Sequence, residues 1–217
     1  MTLSGIGAPD FDAAFRERLV DLFRWRRDVR RFRTDPLAGG VLDALIDAAC
    51  LAPSVGFSQP WRFVTVDEPA RRDVVRASFT ACNEAALGGY KGERAELYAK
   101  LKLEGLTDAP VQLAVFCDEG TATGHGLGSR TMPEALRYSV VAAVQTLWLT
   151  ARAHGVGVGW VSILDPDAVT RALDVPEGWR LVAYLCIGYP VEALPQPELQ
   201  RLGWQAPDPE ARRVWTR

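Results

Sequence analysis

The sequence predicts an α+β fold. Helical and strand-like patterns both occur, but they do not alternate with the βαβ rhythm of a doubly wound sheet. The chain has 217 residues, of which 48% are hydrophobic and 24% charged. This composition is that of an ordinary globular protein, whose core needs neither disulfides nor a structural metal. We therefore expect one domain over residues 1–217, with a C-terminal extension from about 189 to 217.

Helical periodicity is clear in the first half of the chain. Apolar residues recur every three or four positions over residues 11–23, behind a possible N-terminal cap at Asp10. A second apolar stripe covers residues 41–49, and a third helix is expected over about 69–86. Residues 88–106 are mixed in character and predict a helix with a mobile connection.

Apolar runs predict the strands. These runs lie at residues 61–66, 111–117, 157–163 and 179–190. A glycine-rich loop at 118–130 leads to the most apolar helix, over about 133–153, which suits a central position or a dimer interface. Thr131 has capping-box spacing to Glu134 and is expected to cap this helix, with a lid role for this stretch as the alternative.

The C-terminal extension contains several prolines together with Trp204 and Trp215. Such a segment cannot build its own core, yet two tryptophans are costly to leave in water. We expect it to wrap over a partner subunit, and packing on its own subunit is the alternative.

Charge and residue usage exclude several functions. The formal net charge of −2 argues against general binding of nucleic acid or anionic membranes. The two histidines lack metal-ligand spacing, so no metal site is expected. The apolar run at 140–153 is too short to span a bilayer, and no signal peptide is recognisable. The four cysteines form no C-x-x-C pair and suggest buried, reduced thiols, which predicts a cytoplasmic protein.

An arginine-rich segment is the first candidate site. Six of the ten residues from 24 to 33 are arginines, and Asp28 is the single acid among them. Arg26, Arg27 and Arg30 could converge on one anion, because guanidinium groups match phosphate oxygens in geometry and charge. A solvated charged face is the alternative. Asp28 could be an internal partner of these arginines or a carboxyl that moves a proton.

Two loops complete the candidate regions. Residues 52–61 join a helix to a strand through small residues and prolines, and they could present backbone amides and hydroxyls to a flat polar ligand or be a plain connection. The glycines of residues 155–162 lack the spacing of a dinucleotide fingerprint. They instead indicate close approach of the backbone to a planar group, with Ser162 facing either that group or the core.

These segments together resemble the nitroreductase flavoprotein superfamily, and within it the flavin destructases. The resemblance extends from about residue 15 to residue 204. Asp28 favours the destructases, because ordinary nitroreductases usually carry serine at that step. The motifs that carry the resemblance are RRDVRRF (26–32), APSVGFSQPWRFV (52–64), YAKLKLEGLTDAP (98–110), TMPE (131–134) and GVGWVSILDP (157–166).

The resemblance implies a nitroreductase-like sandwich, with a mixed, mostly antiparallel sheet flanked by helices. It also implies a homodimer with FMN between the subunits and exchanged C-terminal extensions. The residues it implies for FMN binding are Arg26, Arg27, Asp28, Val29, Arg30, Ser54, Leu103, Ser162 and Arg201. Among them, the arginines would hold the phosphate, Ser54 would lie against the flavin, and Leu103 would belong to a segment covering the ring.

In the flavin destructases, reduced FMN is the substrate and O2 the co-substrate. The products are 5,6-dimethylbenzimidazole, the lower ligand of vitamin B12, and erythrose 4-phosphate, and a separate FMN reductase supplies the reduced FMN. The resemblance thus implies proton transfer by Asp28 and a hydrogen bond to the flavin from Ser162. Two alternatives are an NAD(P)H-dependent nitroreductase or flavin reductase, and a non-enzymatic FMN carrier.

Overall fold

The computed structural model describes residues 7–100 and 104–217, and an antiparallel sheet lies at their centre. The strands, in chain order, are β1 (Trp61–Thr65), β2 (Val111–Asp118), β3 (Gly157–Val161) and β4 (Trp179–Gly188). Their spatial order is β1-β2-β4-β3, so β1 and β3 form the edges. Each strand begins where the sequence predicts it and ends within two residues of the expected position.

Helices cover both faces of the sheet. They are α1 (Ala13–Trp25), α2 (Val41–Ala49), α3 (Pro69–Gly88), α4 (Glu93–Lys100), α5 (Gly105–Asp108), α6 (Ala135–Ala153), α7 (Pro166–Leu173) and α8 (Glu198–Arg201). The arrangement confirms the α+β prediction.

The core has two layers because side chains of a strand alternate between faces. On β2, Leu113, Val115 and Cys117 pack with α2 and α6, whereas Ala114 and Phe116 pack with α3, α5 and α7. The helix α6 is the main cover of the first face, as its apolar character predicts.

Both expected helix caps require correction. Asp12 caps α1, not Asp10, since its Oδ1 accepts a hydrogen bond from the Phe15 amide at 2.6 Å. Thr131 does not cap α6 either, because its hydroxyl donates to the Gly128 carbonyl within the preceding turn. In each case the helix begins about two residues later than expected, which changes the residue at the cap position.

Helix α1 leaves its apolar stripe largely uncovered. The large side chains of the stripe and of its C-terminal end are 38–52% exposed; they are Phe11, Phe15, Val20, Phe23 and Trp25. Tyr138 and Val141 on α6 are also exposed. Contiguous exposed apolar surface of this kind marks an interaction site.

The two tryptophans of the C-terminal extension differ in whether they pack on their own protomer. Trp204 packs on its own protomer, where it meets the rings of Tyr90 and Tyr98 and the guanidinium of Arg94. Trp215, in contrast, is 63% exposed. Trp204 thus agrees with the alternative of packing on its own subunit, because Tyr98 on α4 and Tyr90 just before it are neighbours within the same chain.

Two further sequence expectations concern membranes and thiols. Within residues 7–100 and 104–217, no helix is long and apolar enough to cross a bilayer. All four cysteines are free, and Cys117 and Cys186 are buried, but Cys50 is exposed. Cys50 immediately follows the last residue of α2 and faces away from the core, which corrects the expectation of burial for that residue.

Candidate functional site

The arginine-rich segment lies along the free edge of β3. The Val29 amide donates to the Val158 carbonyl at 3.0 Å, and Asp28 and Val158 form a parallel bridge. The buried Phe32 and a second bridge to Pro190 fix the other end of the segment. A sheet that is antiparallel otherwise thus gains a short parallel neighbour, which holds the segment rigidly.

Gly157 and Gly159 make this docking possible. A Cβ at Gly159 would lie 2.1 Å from the Val29 carbonyl oxygen, and one at Gly157 would lie 2.8 Å from the Val29 side chain. The glycine pattern predicted close approach of a planar group at these positions. That expectation is wrong for both, because Gly157 admits the Val29 side chain and Gly159 admits the Val29 backbone.

Arg26 and Arg27 are placed side by side at the start of the segment. The Arg26 guanidinium lies 4.9 Å from the Trp148 ring centroid, and Trp148 Nε1 donates to the Arg27 carbonyl at 3.2 Å. Arg27 Nε is buried and has no hydrogen-bond acceptor among the described residues. Burial, followed by the charge of Arg26, lowers the pKa of Arg27. A buried donor without an acceptor fits an anionic ligand.

One of the two carboxylate oxygens of Asp28 accepts a hydrogen bond from the backbone. Its Oδ1 accepts a hydrogen bond from the Trp160 amide at 2.9 Å, whereas Oδ2 lies 3.8 Å from Arg30 Nε. Burial raises the pKa of Asp28, and this effect outweighs the Trp160 hydrogen bond and the nearby arginines, which lower it. A carboxyl with a raised pKa and a free oxygen is suited to proton transfer.

The C-terminal extension closes the other side of this region. Arg30 and Arg201 line the same depression of about 50 Å³ as Asp28 and Val29. An adjoining depression of about 190 Å³ is lined by Arg26 to Asp28, Arg30 and Pro197 to Leu199. Each is smaller than the roughly 300 Å³ of typical small-molecule sites.

Glu192 and Glu198 are the residues at this site that sequence reasoning missed. Glu192 contacts Arg31 and Arg201, and Glu198 Oε2 lies 3.8 Å from Arg30 Nε. Both acids lie in a proline-rich extension, more than 150 positions from Arg31 and Arg30, and no local pattern indicates such pairing.

The remaining candidate residues are more scattered. Ser162 is exposed just beyond β3, two positions after Trp160, whose amide binds Asp28. Ser54 lies in the loop after α2, where its Oγ accepts from the Gln59 amide at 3.0 Å. The same loop contacts the start of α6 through a hydrogen bond from the Val55 amide to Ser139 Oγ. Leu103 lies outside the described residues.

Metal ligands do not cluster in the described part of the chain. Across residues 7–100 and 104–217, no group of three or more His, Cys, Asp or Glu side chains is placed to hold an ion.

Comparison with known proteins identifies the family. The Nitroreductase family model matches residues 23–189, which is most of the chain. The chain belongs to the nitroreductase family. The matched range contains the docked arginine segment, the loop with Ser54 and all four strands of this family member.

Curated relatives and a solved structure agree with this assignment. The nitroreductase-family chain is 62% identical to a 5,6-dimethylbenzimidazole synthase of Rhodospirillum rubrum, over 94% of this chain and 98% of that protein. It is 50% identical to a 5,6-dimethylbenzimidazole synthase of Rhodobacter capsulatus, over 90% and 95%. Oxidized iodotyrosine deiodinase bound to FMN and 3-iodo-L-tyrosine superimposes with a TM-score of 0.69 and 26% identity, covering 82% of this chain and 92% of that one.

Proposed function

We propose that the chain is an enzyme that fragments reduced FMN with O2, yielding 5,6-dimethylbenzimidazole and erythrose 4-phosphate. The observation that carries the proposal is near full-length 62% identity to a protein named for this synthesis. The arginine segment with a proton-active Asp28 at its centre gives that activity a physical site.

The arginines hold the FMN phosphate. Arg27, Arg30 and Arg201 line the depression of about 50 Å³, and Arg26 lines the adjoining one together with Arg27 and Arg30. The unpaired Nε of Arg27 supports this assignment, because a phosphate oxygen would satisfy it. Val29 lies between Asp28 and Arg30 and lines the same depression beside the ligand.

Asp28 moves the proton that the fragmentation requires. Bound FMN, once reduced, supplies the electrons that react with O2. The free Oδ2 of Asp28 faces the depression while Oδ1 is held by Trp160, so the carboxyl can gain or lose a proton without changing its orientation. Ser162, exposed at the end of the same strand, donates a hydrogen bond to the flavin. The resemblance also assigns Leu103, which lies outside the described residues, to the segment that covers the ring and excludes water.

The site is completed in a homodimer, the usual assembly of nitroreductase-family proteins. The exposed apolar stripe of α1 and the exposed Trp215 support burial against a partner. We place Ser54 near the same dimer interface. Its loop contacts α6, and α6 also carries exposed apolar residues that a partner could cover. The rest of the proposal is that residues 1–217 form one domain whose extension, from about 189, contacts the partner beyond Trp204.

A cytoplasmic location and a reductase partner complete the proposal. Four free thiols are compatible with a reducing compartment. The reaction consumes reduced FMN, and a separate FMN reductase is the class of enzyme that supplies it.

The α1 stripe gives a direct test of the dimer. We expect Phe23→Glu to convert the dimer to a monomer, because it would bury an unpaired charge in an apolar interface. Analytical ultracentrifugation over a range of concentrations measures the change. Val74→Glu, at an exposed apolar position on α3, is the matched control and should stay dimeric. An unchanged dimer in Phe23→Glu would exclude α1 from the interface.

Arg30 gives a test of the phosphate assignment. We expect Arg30→Ala to weaken FMN binding more than tenfold beyond any effect on riboflavin, because only FMN carries the phosphate that the guanidinium binds. Fluorescence titration of both flavins measures the difference. Arg33→Ala, which removes an exposed arginine paired with Asp35, should change neither. Equal weakening of FMN and riboflavin would show that Arg30 does not bind the phosphate.

The activity itself is tested by anaerobic reduction of FMN with the purified protein, followed by air and chromatography. We expect 5,6-dimethylbenzimidazole to appear with a matching loss of flavin. Reoxidation of FMN with no product, with either free or reductase-supplied FMN, would overturn the proposal. Turnover of NAD(P)H and a nitroaromatic would then indicate a nitroreductase, and tight FMN binding without turnover would indicate a carrier.

A further inference from the structure

The Arg30 guanidinium lies between two carboxylates. Its Nε is 3.8 Å from Asp28 Oδ2 and 3.8 Å from Glu198 Oε2, so neither acid has a close hydrogen bond to this nitrogen. The Arg30 side chain is 12% exposed and that of Glu198 23%. This partial burial strengthens charge interactions relative to those at an open surface.

We propose that Glu198 is a positioning residue for Asp28, drawing Arg30 away from it and adding a negative charge beside it. The catalytic importance of this inference rests on the proposed function, but the distances that support it lie within this chain. With Arg30 shared, Asp28 Oδ2 is not committed to an ion pair and remains free to exchange a proton. If Arg30 paired with Asp28 alone, the carboxyl would be held in its ionised form.

Few charged or titratable groups compete with Glu198 in this role. Arg26 and Arg30 face Asp28 from its own segment, and Cys186 faces it from β4. The arginines favour the ionised carboxylate. Burial raises the pKa of Cys186 to about 12, so that thiol is neutral in the ordinary pH range. Glu198 is thus the carboxylate that opposes the arginines around Asp28.

The sign of the effect follows from charge alone. A neighbouring carboxylate disfavours ionisation of Asp28, so Glu198→Gln should lower the pKa of Asp28, and it also releases Arg30 to pair with Asp28 fully. We therefore expect the Asp28 pKa to fall, because an influence that raises it is removed and one that lowers it is strengthened. The direction is the same whether Asp28 acts as an acid or as a base.

The first measurement is an NMR titration of the Asp28 carboxyl carbon in the FMN-free protein, assigned with Asp28→Asn. FMN is omitted because its phosphate is itself a charge. We expect the Asp28 pKa to fall in Glu198→Gln and to return towards the wild-type value in Glu198→Asp. Glu192→Gln is the matched control, since Glu192 contacts Arg31 and Arg201 instead of Arg30. An unchanged Asp28 pKa in Glu198→Gln would overturn the inference.

The second measurement separates this inference from the proposed function. In the aerobic fragmentation assay, the Asp28-dependent limb of the pH profile should move to lower pH in Glu198→Gln, the same direction that NMR records. A limb that stays in place despite the NMR shift would overturn the role of Glu198 in the reaction. If the wild type makes no 5,6-dimethylbenzimidazole, the proposed function fails, while the titration still decides whether Glu198 sets the proton affinity of Asp28.

Discussion

Asp28→Asn should bind FMN and yet release at least about a hundredfold less 5,6-dimethylbenzimidazole, the scale of loss expected when a general acid or base is removed. Asparagine has nearly the same shape, and its carbonyl oxygen can still accept the Trp160 amide. The docked segment and its arginines therefore stay in place, and only the exchangeable proton is lost. Single-turnover chromatography after admission of air measures the product, and fluorescence titration measures binding.

Asp35→Asn is the control for this experiment. Asp35 is an exposed acid a few residues along the same stretch of chain and pairs with Arg33 on the surface. Its amide variant should retain full product yield. Full yield in Asp28→Asn would remove Asp28 from the mechanism and leave the proton transfer to Ser162 or water.

Gly159→Ala should have the second large effect, a loss of FMN affinity and stability together. The added methyl group would meet the Val29 carbonyl at 2.1 Å, and neither backbone can yield without breaking the Val29–Val158 hydrogen bond. Overpacking of this kind costs about 1–3 kcal/mol. Here the segment forced away also carries the phosphate-binding arginines, so binding should fall more than stability alone explains.

Thermal unfolding and FMN titration of the same preparation separate the two losses. Gly39→Ala is the matched control, because nothing lies within 4 Å of a Cβ at that position. It should leave both the melting temperature and FMN binding near the wild-type values. A Gly159→Ala protein that binds FMN normally would show that the segment does not need its close contact with β3.

The pattern of apolar and polar residues predicted most of the strands and helices. The strands could be located because buried β2 and β4 are continuous apolar runs bounded by turn residues. Helix α6 was equally clear from its length and apolar character. Caps were less predictable, because Asp10 and Asp12 are chemically identical candidates and only the final backbone path selects one of them.

The site was only partly predictable for a related reason. The density of charge in residues 24–33 identified the arginines and Asp28, and family resemblance assigned them a ligand. The Trp160 amide carries no sequence signal, because any residue there offers the same N–H group. Glu198 was missed because its contact with Arg30 depends on how the C-terminal extension folds back.

The docking of the arginine segment on β3 also determines when the site can exist during synthesis. Asp28 and the amide that orients it are 132 positions apart, and the neighbouring strand of β3 in the sheet is β4, which follows it in the chain. Contacts between such distant parts of a chain form late, after the intervening loop has closed. During synthesis on the ribosome, the arginine-rich segment emerges early, whereas β3 and β4 emerge only after most of the chain has been made. We therefore expect that a nascent or truncated chain lacking β3 and β4 cannot place Asp28 against the Trp160 amide.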